Sequence, residues 1–337
     1  MDSLSIRSYY LDRGIPENIV EIYLEYSARA LSKKLPIIFE FEHLSLLLGL
    51  NLKTLASMVS APSSFYREFT IPKRSGGKRQ IFAPYESLLF AQRWILKNIL
   101  DNVKIHECAH GFCRNRSIKS NASVHLNSDH LLKMDLKDFF PSVKIAWVIT
   151  VFLELGYSPN VAYFLASLCC KDGVLAQGAA TSPSLSNIIL RSLDNRLNRL
   201  AKRCGLQYSR YADDLTFSGK KIHFKLIVLV EKIVFMYGLN INHEKTRLKH
   251  EHGTRIITGV AVNHGRLSVP GKFKRALKNE IYFIRRFGLL SHMSNQKIHR
   301  PNYLQSLLGK IGFWLHIEPT NEYAIAAREL IMRSMKS

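Results

Sequence analysis

The stretch Tyr208-Ser209-Arg210-Tyr211-Ala212-Asp213-Asp214-Leu215-Thr216-Phe217-Ser218 decides how this chain folds. Its flanks are short and rich in aromatic and β-prone residues, and its centre is a pair of acids. It reads as a strand, a tight turn and a second strand. Neighbouring side chains of a strand point to opposite faces; at a tight turn both acids can approach one point, the first more squarely. Beginning 78 residues before Asp213, Asp135-Leu136-Lys137-Asp138-Phe139-Phe140 follows the apolar run Leu131-Leu132-Lys133-Met134. A carboxylate therefore stands at the end of another buried strand. Two adjacent strand ends deliver Asp135 and Asp213 to one site. Unpaired buried carboxylates are costly, and paired cations remove that cost. Hard oxygen ligands with open positions suit Mg²⁺, which takes carboxylates together with substrate phosphates. Two such ions clamp the attacking and leaving oxygens of a phosphoryl transfer. Asp is also common in turns, so Tyr211–Asp214 alone is a weak signal; the second acid-bearing strand strengthens it.

Charge points the same way. The chain has 337 residues, enough for two or three structural units, and 47% are hydrophobic, so a sizeable core is available. Lys and Arg number 48 against 26 Asp and Glu, a net charge of +22. Small soluble domains usually sit at a magnitude of about 2–8. Such an excess implies a polyanionic partner, nucleic acid before an anionic membrane. No run approaches ~18 consecutive apolar residues, and Met1-Asp2-Ser3 opens no signal peptide. The expected location is the cytoplasm, with no membrane partner. The five cysteines form no CxxC pair and read as reduced thiols. His106, Cys108, His110 and Cys113 lie close together, but their spacing departs from zinc-site patterns.

The remaining pattern is mixed. Residues 16–60 read as helical with a break at Pro36. Residues 69–83 read as a hairpin that turns at Ser75-Gly76-Gly77, its tip carrying Lys73, Arg74, Lys78 and Arg79. Helical periodicity marks 85–103, 141–155, 159–171, 183–203 and 222–238, and short strands run through Ile256–Val262 and Arg266–Val269. Residues 271–337 read as all-helical. From Arg266 to Lys310 ten Lys and Arg face one acid, Glu280. That bias, on helices that keep an apolar stripe, favours a phosphate-binding face over a merely solvated one. With Phe273, Leu277, Ile281 and Ile284 turned inward, Lys274, Lys278, Arg285 and Arg286 remain for phosphate.

These residues resemble a family. Over roughly 60–315 the chain is similar to reverse transcriptases, and within them to the bacterial retron type. Phe69 to Pro84 resembles the fingers segment that grips a triphosphate, which implies nucleotide contacts from Lys73 and Arg79. Met134 to Val143 resembles the first catalytic motif, with Asp135 and the Leu136 backbone carbonyl as metal ligands. Gln177 to Asn187 resembles the QGxxxSPxxxN segment, with Gln177 near the incoming nucleotide. Tyr211 to Asp214 resembles the second catalytic motif, Asp213 and Asp214 being catalytic and metal-binding. Gly238 to Asn242 with Lys245 and Thr246 is similar to the next palm motif, which gives Lys245 a nucleotide-binding role. Asn121-Ala122-Ser123-Val124-His125 fits the NAxxH pattern, and Ile257-Thr258-Gly259 stands where the family usually has VTG; Asn121 and His125 are RNA-binding on this basis. Phe140, five residues after Asp135, is the ring that would exclude a ribose 2′-hydroxyl.

The resemblance implies an α+β right-hand polymerase with fingers, palm and a helical thumb. Its expected divisions are an N-terminal helical region 1–60, fingers 61–130, palm 131–263 with fingers residues interleaved at 141–180, and a basic thumb 264–337. It further implies an RNA-directed DNA polymerase using two Mg²⁺ and deoxynucleoside triphosphates. Such an enzyme copies a cognate non-coding RNA from an RNA 2′-hydroxyl and leaves branched msDNA, within antiphage defence and beside a separately encoded effector protein. The rival readings are a group II intron-like reverse transcriptase and a non-catalytic RNA-binding scaffold or antitoxin subunit. The 74 residues after Asn263 leave little room for the maturase and endonuclease regions of the first, and the intact acids argue against the second.

Overall fold

The computed structural model describes residues 7–8, 10–73, 76–250, 255–263 and 265–335. Arg74 and Ser75 of the hairpin turn lie outside the described residues. The chain divides into two compact units, residues 1–107, 136–196 and 231–240, and residues 108–135, 197–230 and 241–337.

In the first unit the helices Glu17–Ser32, Phe41–Leu48 and Leu52–Ser60 precede the hairpin Tyr66–Pro72 with Lys78–Pro84. Local chemistry sets these ends. The Asn51 side chain accepts from Thr54 N–H to start the third helix, and Gly49 closes the second in the left-handed region. Glu86–Asn98, Ile145–Leu155, Pro159–Cys169 and Ser182–Ile189 complete the unit around a core that includes Leu44, Leu55, Ile95, Phe152 and Leu165. The periodicity of 183–203 predicts one helix; the structure has two, Ser182–Ile189 and Arg191–Arg203. The first is buried on nearly every side, while the second buries a single stripe, Leu193, Asp194, Leu197 and Ala201. The residues before and after Leu190 thus meet different surroundings.

Within this unit the hairpin is pinned to the Gln177-Gly178 turn. Phe82 N–H donates to Gln177 O at 2.9 Å. Gly178 has φ +128, and a Cβ there would lie 2.5 Å from Phe82 O. Only glycine suits both the backbone angle and the close approach.

The second unit is built on a four-stranded antiparallel sheet in the order Gln207–Tyr211, Asp214–Gly219, His130–Asp135, Arg247–Lys249. A three-stranded sheet of Arg255–Ile257, Val260–Asn263 and Arg266–Ser268 follows, then the helices Gly271–Phe287, Leu289–Asn295, Tyr303–Ile317 and Glu322–Ser334. One apolar core joins Leu131 of the sheet, Ile257 and Val260, and Leu277, Ile281, Leu307, Trp314 and Ile331 of these helices. No helix among the described residues is long and apolar enough to cross a membrane.

Gly178→Ala is expected to cost roughly 1–3 kcal/mol, the scale of backbone strain. Thermal unfolding should show a larger loss than for Gly173→Ala, where φ is +74 but nothing lies within 4 Å of the added Cβ.

Candidate active site

Register places the acids. In the sheet Asp135 pairs with Asp214, and Tyr211 pairs with Asp214 across the turn that holds Ala212 and Asp213. Ala212 adopts φ +56, a left-handed conformation that non-glycine residues seldom hold. Its carbonyl accepts a hydrogen bond from Arg210 Nη1 at 3.1 Å, and Arg210 is fully buried. Beside the strand runs the segment Cys108–Gly111. Arg210 N–H donates to Cys108 O at 2.8 Å, and His110 N–H donates to Arg210 O at 2.7 Å. A Cβ on Gly111 would lie 2.6 Å from Ala212 N, so this glycine lets the segment press against the turn. Arg210 and Gly111 escape sequence reasoning because their partners are tertiary; the one visible signal is the charge placed inside a β-prone run.

The electrostatics are those of crowded negative charge. Burial pushes the Asp213 carboxyl up to about 6, helped by the charges of Asp135 and Asp214 and opposed by Lys245. Asp214 is also raised, first by burial; Lys133 pulls it down and Asp135 pushes it up. Lys245 Nζ donates to both carboxylate oxygens of Asp135, at 2.8 and 2.9 Å. Burial lowers the Lys245 pKa, but Asp135, with Asp213 and Asp214, outweighs it and the net shift is upward. Here Lys245 is the counterion of Asp135, on a side chain that stays 56% exposed. Among the described residues no group of three His, Cys, Asp or Glu side chains is gathered closely enough to hold a metal as it stands. Three like charges at one sheet end, with a lysine on one of them, nonetheless form a hard-oxygen set suited to a divalent cation that draws further ligands from phosphate.

The other candidates fall elsewhere. Leu136 is buried directly after Asp135. Asp138, at φ +45, starts the one-turn helix Phe139–Ser142. Phe140 is half-buried on the first unit's core, its ring 5.1 Å from that of Phe139. Gln177 is half-buried, and Lys73 and Arg79 are exposed on the hairpin. These nucleotide-binding candidates, unlike Lys245, belong to the first unit.

Two expectations are corrected. Asn121 and His125 are 0% and 1% exposed and bond to serines of the sheet, so neither side chain can touch RNA. Lys274 donates to Glu318 at 2.8 Å and lies 5.3 Å from the Trp314 ring centre. Glu318 also accepts from Val269 N–H, Trp314 Nε1 and Asn321 Nδ2, so Lys274 is a half-buried tie within the helical bundle. The exposed face of Gly271–Phe287 instead carries Arg275, Lys278, Arg285 and Arg286 around exposed Tyr282.

Residues 71–274 match the family model described as reverse transcriptase (RNA-dependent DNA polymerase). Over 218 residues the chain is 41% identical to the retron Mx65 reverse transcriptase of Myxococcus xanthus, covering 59% of this chain and 51% of that protein. It is 32% identical over 256 residues to the retron Ec86 reverse transcriptase of Escherichia coli, covering 74% and 79% respectively. With the retron Mx162 reverse transcriptase of Myxococcus xanthus the identity is 35% over 238 residues, covering 62% and 49%. The chain thus spans about half the length of the two Myxococcus proteins. An antiparallel sheet with acids at its tip, in a chain that matches this family model, defines an α+β right-hand polymerase. More narrowly, the chain belongs to the retron reverse transcriptases.

The raised Asp213 pKa has a sign that can be checked. Its folded value lies above the ordinary ~3.9, so the folded state holds this proton more tightly. The resulting stability is fully present below about pH 4 and is lost as pH rises through about 6. In chelator-treated protein, Asp213→Asn should therefore raise the melting temperature at neutral pH, and the gain should shrink toward pH 5. A gain that grows on acidification would contradict the assignment.

Proposed function

We propose that the protein copies part of a cognate structured non-coding RNA into DNA, beginning from a 2′-hydroxyl of that RNA and leaving branched msDNA. The in-register pairing of Asp135 with Asp214, with Asp213 in the adjoining turn, is the observation that carries this reading. Asp135, Asp213, Asp214 and the Leu136 carbonyl would hold two Mg²⁺, which supply charge neutralisation for phosphoryl transfer when bound. Lys245, bonded to both carboxylate oxygens, orients Asp135. Lys73 and Arg79, exposed cations on the hairpin, suit a triphosphate. Gln177 stands for contact with the incoming nucleotide and Phe140 for exclusion of a ribose 2′-hydroxyl. The basic face of Gly271–Phe287 suits the phosphates and shape of an RNA stem. The resemblance adds a place in cytoplasmic antiphage defence beside a separately encoded effector. Buried carboxylates that repel one another are unfavourable in a mere scaffold, so the site's electrostatics favour the enzyme over a non-catalytic RNA-binding subunit.

Primer extension tests the reading. Asp213→Asn keeps the shape and removes one charge; with several kcal/mol at stake and ~1.4 kcal/mol per decade, activity should fall at least ~10³-fold. RNA binding should largely persist. Extension within about tenfold of the unaltered protein would reject the active-site assignment.

The helix face gives a separate expectation. Replacing Arg275, Lys278 and Arg285 by Ala should weaken binding of the cognate RNA and flatten its salt dependence by about one unit or less per lost contact. Lys274→Ala should instead lower thermal stability and leave the salt slope alone, because Lys274 is held by Glu318.

A further inference from the structure

A line of buried side-chain hydrogen bonds runs behind the acids, and the chemistry described above makes no use of it. Its direction can be deduced from its end. Ile118 O can only accept, so Thr258 Oγ1 donates to it at 3.4 Å and is left to accept from Asn121 Nδ2, also at 3.4 Å. Asn121 Oδ1 accepts from Ser209 Oγ at 2.7 Å. With its one proton committed, Ser209 accepts from His125 Nε2 at 2.8 Å. The other ring nitrogen, Nδ1, then accepts from Ser218 Oγ at 2.6 Å, and Ser218 accepts from Ser128 Oγ at 2.8 Å. From Ser218 to Thr258 every group gives one proton along the line and takes one. This requires a neutral imidazole; burial, with a smaller push from His110, holds His125 down at about 3.

Its placement matters more than its completeness. Ser209 pairs with Thr216, and Ser218 pairs with Gln207, across the hairpin that ends in Asp213 and Asp214. Side chains alternate along a strand, so Asp214, Thr216 and Ser218 share one face, and Ser209 joins them from the opposite strand. The His125 ring therefore bridges the two hairpin strands on the face that carries Asp214. At the far end Thr258 sits at φ +46 in the turn between Arg255–Ile257 and Val260–Asn263. Buried polar networks give specificity of arrangement rather than raw stability, for which an apolar core would serve as well.

We infer that the line Ser128–Ser218–His125–Ser209–Asn121–Thr258 is a positioning device that fixes the register of the hairpin presenting Asp213 and Asp214 and ties it to the Thr258 turn. The NAxxH and Ile257-Thr258-Gly259 signatures thereby become parts of one hydrogen-bonded unit. The inference rests on the reading of Asp213 and Asp214 as the reacting acids.

The test compares Ser209→Ala and Thr258→Val, which delete one hydroxyl each, with Thr258→Ser, which keeps it. Each is assayed on a pre-annealed primer-template for kcat and for KM of the deoxynucleotide. Cognate-RNA affinity and melting temperature are measured alongside, at a temperature where all variants are folded. Ser209→Ala and Thr258→Val should lower kcat by at least about tenfold, since misplacement by ~1 Å costs on the order of 10²-fold. KM and RNA affinity should stay within about twofold, a change of ~0.4 kcal/mol, and Thr258→Ser should retain near-normal kcat. Half-buried Thr258 allows the Val and Ser pair to decide the matter if Ser209→Ala does not fold. Unchanged kcat in folded Thr258→Val would reduce the line to packing. Lost cognate-RNA affinity with unchanged kcat would make it an RNA-recognition element; either result overturns the inference. Asp213→Asn assayed in parallel separates the two levels: if it stays active, the underlying site reading fails whatever the hydroxyl variants do.

Discussion

Three carboxylates crowd one end of a largely buried sheet, and much of the structure nearby answers that crowding. Burial first, and then the charges of Asp135 and Asp214, hold Asp213 well above an ordinary aspartate. Lys245 meets part of the imbalance by gripping both oxygens of Asp135. The backbone meets another part by fixing where the charges stand: Asn242 N–H donates to Asp135 O at 2.7 Å, and Arg210 holds the carbonyl of the left-handed Ala212. A geometry that is unfavourable in isolation persists only when its surroundings over-determine it.

Glycine has a corresponding part where backbone meets backbone. Gly111 against the Ala212 amide and Gly178 against the Phe82 carbonyl each allow an approach that any side chain would block. One steadies the turn that bears the acids, the other the base of the cationic hairpin. The hairpin base is thus anchored, while Lys73 and Arg79 stay in solvent.

The acids were legible in sequence because two independent patterns, strand alternation and rare negative charge in a strongly positive chain, coincide at Asp135 and Asp213. The stripe of Gly271–Phe287 was legible for a similar reason: Leu277, Ile281 and Ile284 recur at helical spacing and are buried. What periodicity cannot carry is the identity of distant partners. Lys274 looks like its cationic neighbours until Glu318, 44 residues on, claims it. Asn121 and His125 look like surface polar residues until Ser209 and Ser218, more than 80 residues away, supply the hydrogen bonds that let them be buried.

The core shared by Leu131 with the helices from Leu277 to Ile331 has a metrical consequence. Leu131 belongs to the strand that ends in Asp135, so the basic face of Gly271–Phe287 and the acids are parts of one packed body. No hinge can open between them without exposing that core to water. For an enzyme of the proposed kind, RNA gripped by the basic face meets the acids at an offset fixed by the fold. On that proposal the protein would act as a ruler, with the nucleotides between the gripped element and the first copied position as the length it measures.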